Sequence, residues 1–420
     1  MNHPAPDALE PLRTDAADFL AAHAGAVVRL TERLIAAPSP NLPGDETAPA
    51  ALIQAALAEY ELPEARVLAT APNRPNLLVR IDGGRPGRHL ALCGHLDTKP
   101  VGEAVAEWRT DPFRPTIVEG NLYGLGATDM KGACAAMVLA GAAFAHVADR
   151  AAGSLTLLFT ADEEYGSRLG AEFLAQSGAI EADAILLGEP AGITRDWEAV
   201  RIVSRGFSGF RVVVGGTQTH SSISDQVPSV NAVEAMAAVI TGLRRELHPS
   251  HPAHPLCPSG PSVNIGVRAE GGVGYGVLPG HAEVWTDIRT TPGMTREQLA
   301  LDIDAALERI RPNVSDAAVS WEFAPALAWI EPTEIAADHP LVRATVSAST
   351  RVLGTEPPLA AFSGATDAWA FQALGGVPTL AAWGPGLLPL AHGPNEYVSI
   401  AALEQACAIF ALTALEFGAG

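Results

Sequence analysis

Histidines and acids recur at a few short places in this chain, in types and spacings that suit metal-assisted hydrolysis. Gly94-His95-Leu96-Asp97 sets a carboxylate two residues after an imidazole. Residues two apart in extended chain project to the same side, so Asp97 is placed to accept from the far ring nitrogen of His95 and fix its tautomer as a ligand. A plain surface pair is the competing reading. Asp129, in ATDMKG, is expected to open a helix. It is either an N-cap or, having two carboxylate oxygens, a bridge between two metal ions. Asp162-Glu163-Glu164 follows the apolar run SLTLLFT. Three adjacent acids repel one another unless a cation or proton intervenes, and a solvated loop is the alternative. Neighbouring side chains diverge, so one glutamate can bind metal while the next faces substrate. Glu189 in GEP and His392 in AHGPNE complete the set. Two imidazoles with several carboxylates suit zinc. Two ions about 3.5–4 Å apart can share one carboxylate, acidify water and polarise a carbonyl. A carboxylate outside the coordination shell then carries the proton to the leaving nitrogen.

These residues need strands that end together. Helical spacing runs over 15–37 and 48–60, and strands are expected at 76–82, 89–94, 154–160 and 184–188. Helices over 131–146 and 171–177 alternate with them, which predicts an α/β fold with a mostly parallel central sheet flanked by helices. His95, Glu163, Glu164 and Glu189 then lie just past strand carboxyl ends, where ligands bind in open α/β sheets. The pattern changes near residue 205. Strand 207–214, helix 229–247, strands 262–269 and 282–289, helix 295–310 and strand 317–323 follow the β-α-β-β-α-β order of a ferredoxin-like unit. Helices at 341–353, 367–374 and 400–418 and a strand at 377–383 resume the first pattern. The expected organisation is an α/β domain in two parts, 1–204 and 326–420, with a small domain inserted over 205–325.

Composition narrows the classes. The chain has 420 residues, 48% hydrophobic and 18% charged, with a net charge of −20. That length predicts two or three domains, on the order of 100–200 residues each. Such a charge repels phosphate backbones and anionic lipids, which argues against nucleic-acid or membrane-surface binding. The run 132–145 falls short of the ~18–20 residues that span a bilayer, so no membrane helix is expected. No basic segment followed by an apolar stretch opens the chain, so a secretory signal is not expected. Cys93, Cys134, Cys257 and Cys407 form no C-x-x-C pair and read as buried thiols in a cytoplasmic protein.

GHLDTKP, YGLGATDMKG, TADEEYGS, GEP, THSS and AHGPNE occur in the order found in the M20 metallopeptidases, which the chain resembles over nearly its whole length. That group includes acetylornithine deacetylases, succinyl-diaminopimelate desuccinylases, aminoacylases and glutamate carboxypeptidases. The resemblance implies a zinc-peptidase-like catalytic domain and two Zn2+ per chain, with Co2+ or Mn2+ also compatible. His95 and Glu189 would hold one ion and Glu164 and His392 the other. Asp129 would bridge them, Asp97 would orient His95, and Glu163 would be the general acid/base. A cis peptide after Asp129 is also implied. In the inserted domain, a lid by the same resemblance, His220 resembles a histidine that reaches across a dimer to act as an oxyanion donor. Asn264 and Arg289 match positions that hold a substrate carboxylate, a task suited to a guanidinium fork. Gly364 and Thr366 lie in Ser363–Asp367, similar to a Ser-Gly-Gly-Thr-Asp loop near substrate, with Ala365 replacing a glycine.

The resulting expectation is a dinuclear zinc amide hydrolase, deacylating an N-acyl amino acid and forming a homodimer through the lid. A dipeptidase or carboxypeptidase acting on a short peptide with a free carboxylate is the alternative within the family. A non-catalytic metabolite- or protein-binding relative is the alternative from another class.

Overall fold

Prolines and glycines decide where the first helices stop. The computed structural model describes residues 9–314, 316–325 and 329–420. The helix predicted over 15–37 is two helices, Glu10–Ala22 and Ala26–Ile35. Between them Gly25 takes φ 74°, a left-handed conformation open to glycine at no steric cost. Both helices pack on the Gly132–His146 and Ile400–Ala419 helices, so the apolar spacing runs on across the break.

The described chain divides into two compact units. The first comprises the residues up to Ser204 together with Thr333–Phe362 and Thr366–Gly420. Its six-stranded sheet runs, edge to edge, Arg66–Leu68, Asn76–Asp82, Ala152–Thr160, Arg85–His95, Ala184–Leu187 and Thr379–Leu380. The last four are parallel and the first two antiparallel. Leu90, Ala91, Leu92, Leu155, Leu157 and Leu158 are fully buried, as continuous apolar strands covered on both faces require. The Gly132–His146 and Ile400–Ala419 helices cover one face. Ala171, Leu174 and Phe371 pack on Ala91, Cys93 and Ile185 on the other.

Glycine lets the first cover come close. A Cβ on Gly94 would lie 2.8 Å from Cys134 Sγ and 3.0 Å from Met130 Cε. The Ile400–Ala419 helix is longer than the apolar run at 132–145. It is long and apolar enough by length and composition to cross a membrane, yet 67% of its most apolar window is buried. It packs as core against the sheet and the Gly132–His146 and Pro340–Leu353 helices. The strand predicted over 377–383 is only Thr379–Leu380, and the helix predicted from 367 begins at Ala370. The backbone tracks the Ala184–Leu187 strand on either side of the Thr379–Leu380 pairing, through Ile185 N–H to Pro378 O and Trp383 N–H to Leu187 O.

The second unit spans Arg205–Pro332 with Ser363–Ala365. Gly206–Gly215, Ser262–Gly271, His281–Thr290 and Ala318–Phe323 form a fully antiparallel sheet. In sheet order they run second, third, first, fourth, the ferredoxin-like arrangement. Asn231 and Thr295 cap the helices Ala232–Glu246 and Arg296–Ile310, which cover one face through Val239, Leu243 and Ile303. The unit runs past residue 325 because Ile330 and Phe207 exchange backbone hydrogen bonds.

Candidate metal centre

Three parallel strands deliver their carboxyl ends to one place. His95 ends the Arg85–His95 strand. Glu163 and Glu164 lie in a short turn just after Ala152–Thr160, and Glu189 follows Ala184–Leu187. Asp129 arrives from a kinked turn before the Gly132–His146 helix, and the Asp129–Met130 peptide is cis. The helix N-cap is Lys131 and no side chain caps it, so the N-cap alternative for Asp129 is discarded.

The carboxylate of Asp129 lies between two imidazoles. Oδ1 is 3.0 Å from His95 Nε2 and Oδ2 is 3.2 Å from His392 Nε2. Glu189 Oε1 is 3.7 Å from His95 Nε2, and Glu164 Oε2 is 3.2 Å from His392 Nε2. His95, Asp129, Glu164 and Glu189 are buried, while the His392 side chain is 48% exposed. Glu163 offers an oxygen within 4.8 Å of donor atoms of His95 and Glu189. Two nitrogen and three carboxylate donors, split into two groups that share Asp129, fit a pair of divalent ions.

The electrostatics describe a buried acidic cluster that demands positive charge. Burial alone would make His95 less basic, but the carboxylates of Asp129 and Asp97 outweigh it and hold His95 well above its usual range. Against the same opposing burial, Asp129 and Glu164 raise His392 to about 10. Asp129, despite its burial, is kept far below the usual carboxylate range by the two imidazoles. Burial lifts Glu163 well above its ordinary value, with His95 opposing and Glu189 and Asp367 reinforcing. Burial and the Asp129 charge do the same to Glu189. Protons on the imidazoles therefore hold places that cations would take.

The sequence profile of peptidase family M20/M25/M40 matches residues 91–416. The chain belongs to the M20 peptidase family. It is 32% identical over 333 residues to the succinyl-diaminopimelate desuccinylase of Alkalilimnicola ehrlichii, spanning 78% of this chain and 83% of that protein. It is 32% identical over 337 residues to the acetylornithine deacetylase of Pectobacterium carotovorum, spanning 78% and 79%. The fold matches a di-peptidase of Saccharomyces cerevisiae with TM-score 0.77 at 17% identity, over 97% of this chain and 99% of that one. This M20 chain is thus a metal-dependent amide hydrolase.

Asp97 meets His95 through its backbone carbonyl as well as through its carboxylate. The nearest partner of His95 Nδ1 is the Asp97 backbone carbonyl at 3.0 Å, with the carboxylate at 3.6 Å. That carboxylate also accepts from Asn41 Nδ2 (2.9 Å), Glu163 N–H (3.2 Å) and Glu164 N–H (3.1 Å). It therefore positions the backbone that carries both glutamates. Behind it, Asn41 also donates to Asp162 at 2.9 Å. Arg74 pairs with Asp162 and lies 3.1 Å from Glu46. Burial and the Asp97 charge push Glu46 up to about 8.

Sequence reasoning overlooked Asn41, Arg74, Lys99, Lys131, Asp367 and Glu396 as part of this M20 centre. Lys99 Nζ lies 3.1 Å from Glu164 Oε2. Lys131 is buried and donates to the carbonyls of Leu34 and Ala37, at the end of the Ala26–Ile35 helix. The chain contains no other lysine. Asp367 is buried and accepts from Thr160 Oγ1 at 3.0 Å, and burial pushes it up to about 6. A lysine rarity count and the acids inside the quoted motifs were the available signals.

The expected substrate contacts fall in both units. Thr366 is buried in the first. His220, Asn264, Arg289 and Gly364 belong to the second. His220 is exposed, and its Nδ1 accepts from Ser222 N–H at 3.2 Å, with Ser222 Oγ 2.8 Å away. Asn264 donates to Asp287 at 2.7 Å, and Arg289 lies over the Phe207 ring at 5.0 Å. The pairings Ser262–Arg289 and Asn264–Asp287 put Asn264 and Arg289 on one face of their sheet.

Proposed function

We propose that this chain is a two-metal deacylase that cleaves the acyl group from an N-acyl amino acid with a free carboxylate. One observation carries the reading: the two oxygens of Asp129 each face a different imidazole, and each imidazole faces its own glutamate. In this reading His95 and Glu189 hold one Zn2+, His392 and Glu164 the other, and Asp129 both. Co2+ or Mn2+ suits the same donors. When bound, the ions acidify water and polarise the amide carbonyl.

The residues do the rest. Glu163 takes the proton of the attacking water and returns it to the leaving nitrogen, the task for which a raised pKa fits a carboxylate. Asp97 holds Glu163 and Glu164 through their N–H groups. Asn264 and Arg289 bind the substrate carboxylate, with Gly364 and Thr366 beside it. His220 donates to the oxyanion of the partner subunit in a homodimer built on the second unit, which acts as the lid. Residues 205–325 of the sequence reading form the body of that lid. The two named curated relatives, a desuccinylase and a deacetylase, support the acyl amino acid class. Four cysteines that remain buried thiols support a cytoplasmic setting.

Glu163→Gln should retain its metal and lose kcat by about 10²–10⁴. Near-wild-type turnover in a metal-loaded variant would remove Glu163 as the base. A panel of N-acetyl and N-succinyl amino acids and dipeptides tests the substrate class. Highest kcat/KM on a dipeptide would favour the peptidase reading, which the same centre can serve.

A further inference from the structure

Glu396 is an acid with no assigned task. Its carboxylate is 1% exposed. Oε1 accepts from the N–H groups of Thr128 (2.9 Å) and Asp129 (3.0 Å), and Oε2 from that of Gly126 (3.0 Å). No cation is paired with it among the described ion pairs. The three donors belong to the turn that presents Asp129. A turn ahead of a helix leaves N–H groups without intrahelical partners, and here one side chain gathers three of them.

The same contact joins two segments far apart in sequence. Glu396 lies four residues after His392, and its backbone carbonyl accepts from Gly124 N–H at 3.0 Å. Thr128 Oγ1 donates to the Tyr397 carbonyl at 2.5 Å. The loop that carries His392 is thereby laced to the turn that carries Asp129.

The two halves of the centre are not held alike. His95 ends a central strand and Glu189 follows another. His392 lies in an irregular loop, itself at φ 63°, with Asn395 at φ 62°. Asn395 anchors the outer side of that loop on Arg109 and Glu107, and the Tyr397–Ser399 strand after it pairs with Asn121–Tyr123, but the loop's side-chain link to the Asp129 turn itself is made by Glu396.

We propose that Glu396 is a positioning residue for one half of the metal centre: by clamping the His392 loop to the Asp129 turn, it sets the affinity of the His392–Glu164–Asp129 site while leaving the His95–Glu189–Asp129 site nearly unaffected. Glu396 touches neither ion nor substrate. The inference rests on the two-metal reading above.

The Glu396→Gln variant tests it, because the shape is kept. Its single amide oxygen can still accept, but the amide NH2 must meet a backbone N–H, leaving donor against donor. The measurement is Zn2+ titration of the metal-stripped full chain by calorimetry, with metal analysis after dialysis. The wild type should bind two ions. E396Q should keep one site at wild-type affinity and lose about 10- to 100-fold at the other, the usual cost of removing a group that orients ligands. Equal affinities in variant and wild type would overturn the inference, and so would equal weakening of both sites. If E396Q does not fold, Glu396→Asp, one methylene shorter, is read by the same criteria. A wild-type chain that binds no divalent ion overturns the two-metal reading itself. Two ions in the wild type with an unaltered pattern in the variants overturns the clamp alone.

Discussion

At the scale of single residues, the centre is a balance between acids and whatever cations reach them. Without bound ions, the carboxylates of Asp129 and Glu164 outweigh burial and raise His392 to about 10, and His95 is held well above its usual range. An imidazole ligates only when its ring nitrogen is free of a proton. Below pH 10, ion uptake must therefore expel protons, and apparent affinity should rise with pH, by about tenfold per pH unit for each proton displaced. Calorimetry at pH 7 in two buffers of different ionisation enthalpy reads the release. Heats that do not depend on the buffer would contradict it. The five proposed ligands stand in short motifs visible in the sequence, and the resemblance to the M20 metallopeptidases is what suggested a role for each. No role was legible for Asn41, Arg74 and Glu396. Their partners are backbone amides and buried carboxylates brought together only by folding, and a buried Glu396 is spelled like any exposed one.

At the scale of elements, the site depends on how closely the Gly132–His146 helix lies on the sheet. Gly94, one residue before His95, leaves room for Cys134 and Met130. Gly94→Ala should cost about 1–3 kcal/mol by overpacking. The loss is measurable as a lower midpoint in urea unfolding, and an unchanged midpoint would mean that the helix gives way freely. Strands and long helices were readable from period and run length, since burial on both faces writes an unbroken apolar word. The break at Gly25 was not, because two helices leaning on the same neighbours continue one apolar rhythm. The strand at Thr379–Leu380 was overestimated because the buried apolar residues after it leave the sheet's ladder, with Ala382 bridging Arg201 instead.

At the scale of the whole molecule, the β-α-β-β-α-β order marks the second unit in the sequence, whereas its true end does not show. Its limit at Pro332 is decided by the pairing of Ile330 with Phe207, more than 120 residues away in the chain. The proposed homodimer gives a direct expectation. Light scattering behind size exclusion should return twice the 43.6 kDa chain mass. A monomer at micromolar concentration would oblige His220 to act, if at all, within its own subunit.

The scarcity of lysine has a practical consequence. With 25 arginines and only Lys99 and Lys131, the chain offers almost no primary amines. Lys131 is sealed in the core, while the Lys99 side chain is 35% exposed and rests against Glu164. Apart from the α-amine, an acylating dye or cross-linker therefore has one part-exposed lysine to react with, and because Glu164, against the opposing burial, holds that amine protonated above its ordinary range, labelling beside the acidic cluster calls for alkaline pH.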